Sequence, residues 1–201
     1  MAESSLYRAL GRSLERLRKH HLGFARRLAG YAERHLSQAA AYTVFAHGEL
    51  ENFLEDWALE ILKAIAGKGF GPGFSPMLGH LLAYRPQLNL PSQIPANNAW
   101  QTHAGNAISS HQTAIRKNNG ISERHVCTLL MPLGIDVKMI DSILISDLTA
   151  FAKIRGDHAH QSRRLHLGQQ FDPFDRLAKI NNIYKLLLSF DQDLQKHLKQ
   201  C

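Results

Sequence analysis

Apolar residues recur at every third or fourth position through most of this chain, and this spacing is its strongest constraint on fold. The clearest run is Ile140, Ile143, Leu144, Leu148, Phe151 and Ile154. Such spacing places the side chains on one face of a helix. Comparable runs predict helices over residues 4–36, 37–66, 98–117, 122–131, 136–155 and 173–201, the first two of which could be continuous. No segment shows the alternation of apolar and polar residues that is typical of a strand. The sequence therefore predicts an all-α bundle of about five to six helices.

One stretch, residues 67–97, interrupts the helical pattern. Its prolines are Pro72, Pro76, Pro86, Pro91 and Pro95. Proline removes a backbone donor and breaks helices, so only a short helix over residues 77–84 is predicted there. The stretch also carries apolar residues able to pack on a core, which argues against a linker. We therefore predict one domain over residues 1–201, with a basic N-terminal helix in residues 1–36 and this irregular insertion.

The charge and the cysteine content restrict the partners and the location. The formal net charge is +7 and the isoelectric point is near 9.6. Such a balance favours a polyanionic partner, either nucleic acid or an anionic membrane surface. The two cysteines, Cys127 and Cys201, are too far apart in sequence and context to suggest a disulfide framework. Without an apolar leader or a run of about 18 apolar residues, a cytoplasmic protein with no membrane association is predicted.

The predicted first helix is rich in arginine. Arg12, Arg16, Arg26 and Arg27 are predicted to contact the phosphate backbone of RNA. The same face would also suit a protein partner or an acidic membrane. The structural alternative is a solvated face on a surface helix, and the sequence leaves these alternatives open.

A polar cluster follows the apolar run near residue 154. Arg155, Asp157, His158 and His160 fall within six residues at the C-terminal end of a predicted helix. Arginine offers a planar fork that fits phosphate oxygens, and histidine exchanges protons near neutral pH. The structural alternative is that these side chains cap the helix end. Spacing alone does not decide between them, because Arg16 and His21 repeat it by chance.

The sequence lacks the motifs of several other kinds of functional site. There is no P-loop, no dinucleotide-binding fingerprint, no zinc spacing and no serine elbow. His158 and His160 alternate along a helix and so point apart, which disfavours a metal between them. No metal and no cofactor are predicted. A DNA-binding helix-turn-helix over residues 98–132 is a further alternative, although its second helix has few basic residues.

Four segments together resemble the HEPN superfamily, in particular the RiboL-PSP-HEPN group. They are residues 46–54 (AHGELENFL), 118–122 (NNGIS), 132–135 (PLGI) and 155–160 (RGDHAH). The last is similar to the family motif of an arginine and a histidine separated by four residues. The resemblance covers roughly residues 37–190 and leaves out the basic first helix.

The resemblance implies a helical bundle that forms a homodimer, with two motifs facing one cleft. It implies metal-independent RNA cleavage in which Arg155 stabilises the phosphate and His160 is the general acid or base. Asp157, His158 and Glu51 would support them. Such proteins often act as toxins or defence effectors restrained by an inhibitory protein partner.

The sequence departs from the family pattern at Gly156, where many active members have a polar residue. A non-catalytic HEPN module that binds RNA or a protein partner is therefore the main alternative, and a DNA-binding regulator is a third. Positions 155 and 160 are about 140° apart around a helix, so a helix end between them or a second chain would have to bring them together.

Overall fold

The computed structural model describes residues 2–24, 30–68, 76–84, 99–160 and 172–200, and for residues 99, 100, 137 and 157–160 the backbone only. These residues form seven α-helices and no strand, which confirms the all-α prediction. The helices are α1 Ser5–His21, α2 Glu33–Gly67, α3 Pro76–Ala83, α4 Ala99–Arg116, α5 Glu123–Leu130, α6 Ser142–His160 and α7 Pro173–Gln200. Two 3-10 helices, Met131–Leu133 and Val137–Met139, join α5 to α6.

Helix α2 lies at the centre of the bundle and contacts α1, α4, α5, α6 and α7. Its sequence explains this position, because apolar residues cover more than one side of the helix. Its buried apolar residues include Tyr42, Leu50, Phe53, Leu54, Trp57, Ala58, Ile61, Leu62 and Ile65. Burial on several sides makes α2 the element against which the other helices are positioned.

The prediction of one helix over residues 4–36 is wrong. Helix α1 ends at His21, and α2 begins at Glu33. Glycine is unfavourable inside a helix, and Gly30 adopts a φ of 92°, a left-handed conformation that glycine accepts without strain. The chain thereby turns, and α1 packs back against α2.

The start of the helix that leads to the Arg155 cluster also differs from the prediction. Asp136 was predicted to begin it, but the Asp136 carboxylate accepts from the Lys138 amide and begins the short 3-10 helix. Helix α6 begins later, where Asp141 Oδ1 accepts from the Ile143 amide at 2.8 Å. Either aspartate satisfies an otherwise unpaired backbone donor, so the sequence alone did not distinguish them.

A buried carboxylate fastens the beginning of the chain to its last helix. Asp191 on α7 is fully buried and accepts hydrogen bonds from the Ser4 amide and hydroxyl, Trp57 Nε1 and Gln195 Nε2. Ser4 in turn caps α1 by accepting from the Tyr7 amide at 2.9 Å. Asp191 therefore holds α1, α2 and α7 at one point.

The predicted short helix of the insertion is confirmed as Pro76–Ala83, with Met77, Leu78 and Leu81 buried. The rest of the predicted irregular insertion, residues 69–75 and 85–98, lies outside the described residues. The predicted restart at residue 173 is also confirmed, because Asp172 Oδ1 accepts from the Phe174 amide at 2.9 Å. Across the described helices, none has the length and apolarity needed to cross a bilayer.

Candidate functional site

Helix α2 carries a line of polar side chains toward α4, α5 and α6. His47, Glu51 and Glu55 follow one another at intervals of four residues, which places them on one side of the helix. His47 is almost completely buried, and the two carboxylates are partly buried. Polar groups at this depth are costly unless they have partners, so their surroundings indicate what the site is built to hold.

His47 is held in its neutral form. Burial, followed by the nearby charges of Arg155 and His125, lowers the pKa of His47 to about 4. Its Nδ1 lies 3.7 Å from Glu51 Oε2, and its ring lies 6.2 Å from the ring of Phe151 on α6. At pH 7 the imidazole of His47 is therefore uncharged, and it is the most buried of the three polar side chains.

Asn118 connects the two carboxylates to the loop after α4. Its Nδ2 donates to Glu55 Oε1 at 2.9 Å, lies 3.4 Å from Glu51 Oε1, and donates to the Gly120 carbonyl at 3.0 Å. Burial raises the pKa of Glu51, the charge of Glu55 raises it further, and Arg155 opposes the shift. Burial also raises the pKa of Glu55, against the hydrogen bond from Asn118. One amide thus keeps two repelling carboxylates in place.

His125 on α5 lies close to His47. Ser122 Oγ and His125 Nδ1 are 2.7 Å apart, so the Ser122 side chain bonds the imidazole and makes no capping hydrogen bond to the backbone of α5. A Cβ on Gly120 would lie 2.6 Å from the ring of His125, which explains a residue without a side chain at that position. Burial lowers the pKa of His125, and the charge of Arg124 adds to this effect.

Arg155 on α6 lies close to His47 and Glu51 of α2. Its charge is close enough to lower the pKa of His47 and to oppose the rise in the pKa of Glu51. The Nε atom is buried and has no hydrogen-bond partner among the described residues. An unsatisfied buried donor costs about 1–3 kcal/mol, and more when it is charged.

The structure brings two of the predicted catalytic-site residues to one place, Arg155 and Glu51. The side chains of Asp157, His158 and His160 lie outside the described residues. The backbone of α6 is helical through His160, so no helix end separates positions 155 and 160. The two positions remain about 140° apart around the helix axis. Of the two ways of bringing them together, the helix end is therefore ruled out.

The predicted RNA-binding residues of the first helix are partly described. Arg12 and Arg16 line one open groove with Arg8, Lys19, His20 and Tyr184. Arg26 and Arg27 lie outside the described residues. The groove lies between α1 and α7 and is separate from the Arg155 cluster.

Sequence reasoning missed His47, Glu55, Asn118 and His125 as members of the site. The signal available was the four-residue interval of His47, Glu51 and Glu55 along a helix whose apolar residues cover more than one side. That interval marks a polar line facing inward. The contributions of Asn118 and His125 depend on how α4 and α5 pack, which the sequence pattern does not specify.

Comparison with known proteins adds no relative, since no family model, curated protein or solved structure matches the chain. No three histidine, cysteine, aspartate or glutamate side chains of the described residues are placed to share a metal ion.

Proposed function

We propose that this protein is a metal-independent endoribonuclease of the HEPN type. One observation carries the proposal: Arg155, with an unpaired buried Nε, lies where three of the segments that resemble the HEPN superfamily meet. These segments contribute His47 and Glu51 from α2, Asn118 from the loop after α4, and Arg155 itself. A site assembled from the segments that carry the resemblance is what a HEPN ribonuclease requires.

The chemistry follows from the residue types. The ribose 2′-hydroxyl attacks the adjacent phosphorus, a base takes the hydroxyl proton, and an acid returns a proton to the departing 5′-oxygen. His160 is assigned the role of general base or acid in these transfers, a role that typically contributes about 10²–10⁴-fold in rate. Arg155 is assigned the negative charge that builds on the phosphate oxygens. The products are a 2′,3′-cyclic phosphate and a 5′-hydroxyl.

Glu51 is assigned a positioning role for Arg155. A partly buried carboxylate near a guanidinium restricts where that cation rests, and the raised pKa of Glu51 shows that burial outweighs the attraction of Arg155. Asp157 and His158 keep their predicted supporting roles. A role as a toxin or defence effector held in check by an inhibitory protein, and a cytoplasmic location, belong to the same proposal.

The second candidate is a non-catalytic HEPN module that binds an RNA phosphate without cleaving it. The observation that favours it is Gly156, which has no side chain and at which an added Cβ would meet no atom within 4 Å. The space next to Arg155 thus lacks the polar group that many active family members have there. The two candidates share the phosphate contact of Arg155 and differ in proton transfer.

The deciding experiment is incubation of the purified protein with mixed cellular RNA in excess EDTA, followed by analysis of the product ends. We expect cyclic phosphate ends with the wild type and none with Arg155→Ala or His160→Ala. Arg155→Lys should also fail, because an ammonium does not reproduce the bidentate fork. Arg116→Ala, which removes an exposed arginine of α4, is the matched control and should cleave normally.

Two results would contradict the catalytic proposal. One is cleavage at the wild-type rate by a folded His160→Ala protein. The other is RNA binding that depends on Arg155 with no cleavage by any form of the protein, which would establish the binding module instead.

A further inference from the structure

The exposed side of α1 forms a positively charged groove. Arg8, Arg12 and Arg16 follow one another at intervals of four residues, and all three are exposed. Successive cations on such a line are about 6 Å apart along the axis. Glu15, the carboxylate in the groove, is already paired with Arg18 at 2.7 Å. No described carboxylate forms an ion pair with the three arginines, so their charge is available to an external anion.

Aromatic rings continue from one end of this groove. His20 lines the groove, and its ring centre is 4.7 Å from that of His21. The ring of His21 stacks on Phe45 of α2, with centres 5.4 Å apart and planes 23° apart. Phe45 is 53% exposed, unlike the other phenylalanines of α2 and α6, which are buried. Phe45 thus packs on His21 with part of its ring and leaves the rest of the ring exposed at the end of the cationic groove.

We propose that the groove and the His21–Phe45 pair bind a single strand of RNA. The arginines would follow the phosphates, and an unpaired base would stack on the exposed surface of Phe45. Single-stranded nucleic acid is bound in this way, by a cationic groove together with aromatic platforms. A duplex keeps its bases stacked inside the helix and offers phosphates alone. The substrate class is therefore single-stranded RNA, and the choice of RNA over DNA rests on the proposed ribonuclease function.

This surface is distinct from the Arg155 cluster. Phe45 precedes His47 by two residues on α2, so the two positions lie about 160° apart around the helix. Phe45 faces the basic groove, and His47 faces α6 and α5. A strand bound at the groove and the His21–Phe45 pair does not occupy the site assigned to cleavage. Binding and cleavage can therefore be tested separately.

The test measures binding of a fluorescent oligonucleotide of about 12 nucleotides, made with 2′-deoxyribose so that cleavage is impossible. Phe45→Ala should weaken binding of the single strand by about 10-fold, and Phe45→Trp should retain it, since stacking needs only an aromatic ring. Neither change should alter binding of the matching duplex. Ile143→Ala is the control, because Ile143 is 60% exposed but lies on α6.

The salt dependence separates the arginines from the ring. Exchanging Arg12 and Arg16 for glutamine should reduce the log–log salt slope by about 1.4, since each lost phosphate contact on a single strand removes about 0.7. Phe45→Ala should leave the slope unchanged, because stacking releases no counterions. An unchanged slope in the double arginine variant would mean that the groove does not hold the strand.

Other outcomes overturn the proposal in distinguishable ways. Wild-type binding by Phe45→Ala would exclude the stacking platform, whether or not the protein cleaves RNA. Binding to vesicles of equal parts phosphatidylcholine and phosphatidylserine, without binding to the oligonucleotide, would assign the surface to membranes. Binding that depends on Phe45 in a protein that never cleaves RNA would keep the platform and reject the ribonuclease function.

Discussion

His47 Nδ1 lies 3.7 Å from Glu51 Oε2, one turn along α2, with the imidazole almost completely removed from solvent. The pair joins a neutral histidine to a carboxylate whose pKa is raised. Both shifts arise first from burial, which disfavours the charged form of either group. The site therefore disfavours the charged forms of both His47 and Glu51, whereas Arg155 keeps its charge within it.

The first prediction concerns stability as the pH falls. The pKa of His47 is about 4 in the folded protein, against an ordinary value of 6.5. Above pH 6.5 the histidine is neutral in both states, whereas below it the unfolded chain takes up the proton first. Stability should thus fall by up to about 3 kcal/mol between pH 6.5 and 4 through this residue. Glu51 and Glu55 act in the opposite direction, because their raised pKa values favour proton uptake by the folded state.

Urea unfolding of the wild type and of His47→Gln at several pH values isolates the histidine. The variant should lose less stability than the wild type on acidification from pH 6.5 to 4. Identical pH profiles for the two proteins would show that His47 is not buried as a neutral group.

The second prediction uses two glycines inside helices. A Cβ on Gly156 would meet nothing within 4 Å, whereas one on Gly11 would lie 2.3 Å from Tyr184 Oη. Gly156→Ala should stabilise the protein by about 1 kcal/mol, because alanine is the better helix former. Gly11→Ala should destabilise it, since Tyr184 would have to leave its stacked position on Tyr7. Thermal unfolding should show shifts of opposite sign, about 2–4 °C upward for Gly156→Ala.

The third prediction concerns Asp191. Asp191→Ala removes the acceptor shared by Ser4, Trp57 and Gln195 and leaves the buried Trp57 Nε1 and the part-buried donors of Ser4 and Gln195 without it. We expect a loss of about 3 kcal/mol or more in the free energy of unfolding. Asp193→Ala is the control two residues away, because its exposed ion pair with Lys196 contributes at most about 1 kcal/mol. Equal unfolding midpoints for the two variants would contradict the anchoring role of Asp191.

The fold was predictable from the sequence to the extent that burial is periodic. The apolar runs located α2, α4, α5, α6 and α7, because each helix hides a face that the others cover. A helix was predicted to run through the turn after His21, since the apolar residues on both sides of it keep helical spacing. Asp136 and Asp141 are equally good caps in sequence, and only packing selects the second one for α6.

The site was predictable only in part, for a different reason. Arg155 and Glu51 stood out because their residue types and the family resemblance marked them. Asn118 and His125 meet the polar line of α2 through contacts between elements that are distant in sequence. A sequence pattern reports which face of a helix is buried and does not report which polar side chain of another helix lies against it.

The last prediction follows from the continuous helix between positions 155 and 160. Because α6 remains helical through His160, one chain presents these positions about 140° apart. If both residues act on one phosphate, each site must take Arg155 from one chain and His160 from its partner in a homodimer. Light scattering should then report twice the monomer mass of 22.6 kDa at micromolar concentration.

Mixing two inactive variants tests the shared site directly. In a dimer of Arg155→Ala with His160→Ala, one of the two sites keeps both residues and the other has neither. Half of the randomly formed dimers are mixed, so co-refolded variants should recover about a quarter of wild-type cleavage. Each variant refolded alone should stay inactive. A mixture that remains inactive while subunit exchange is demonstrated by mass spectrometry would show that Arg155 and His160 do not act together across the dimer.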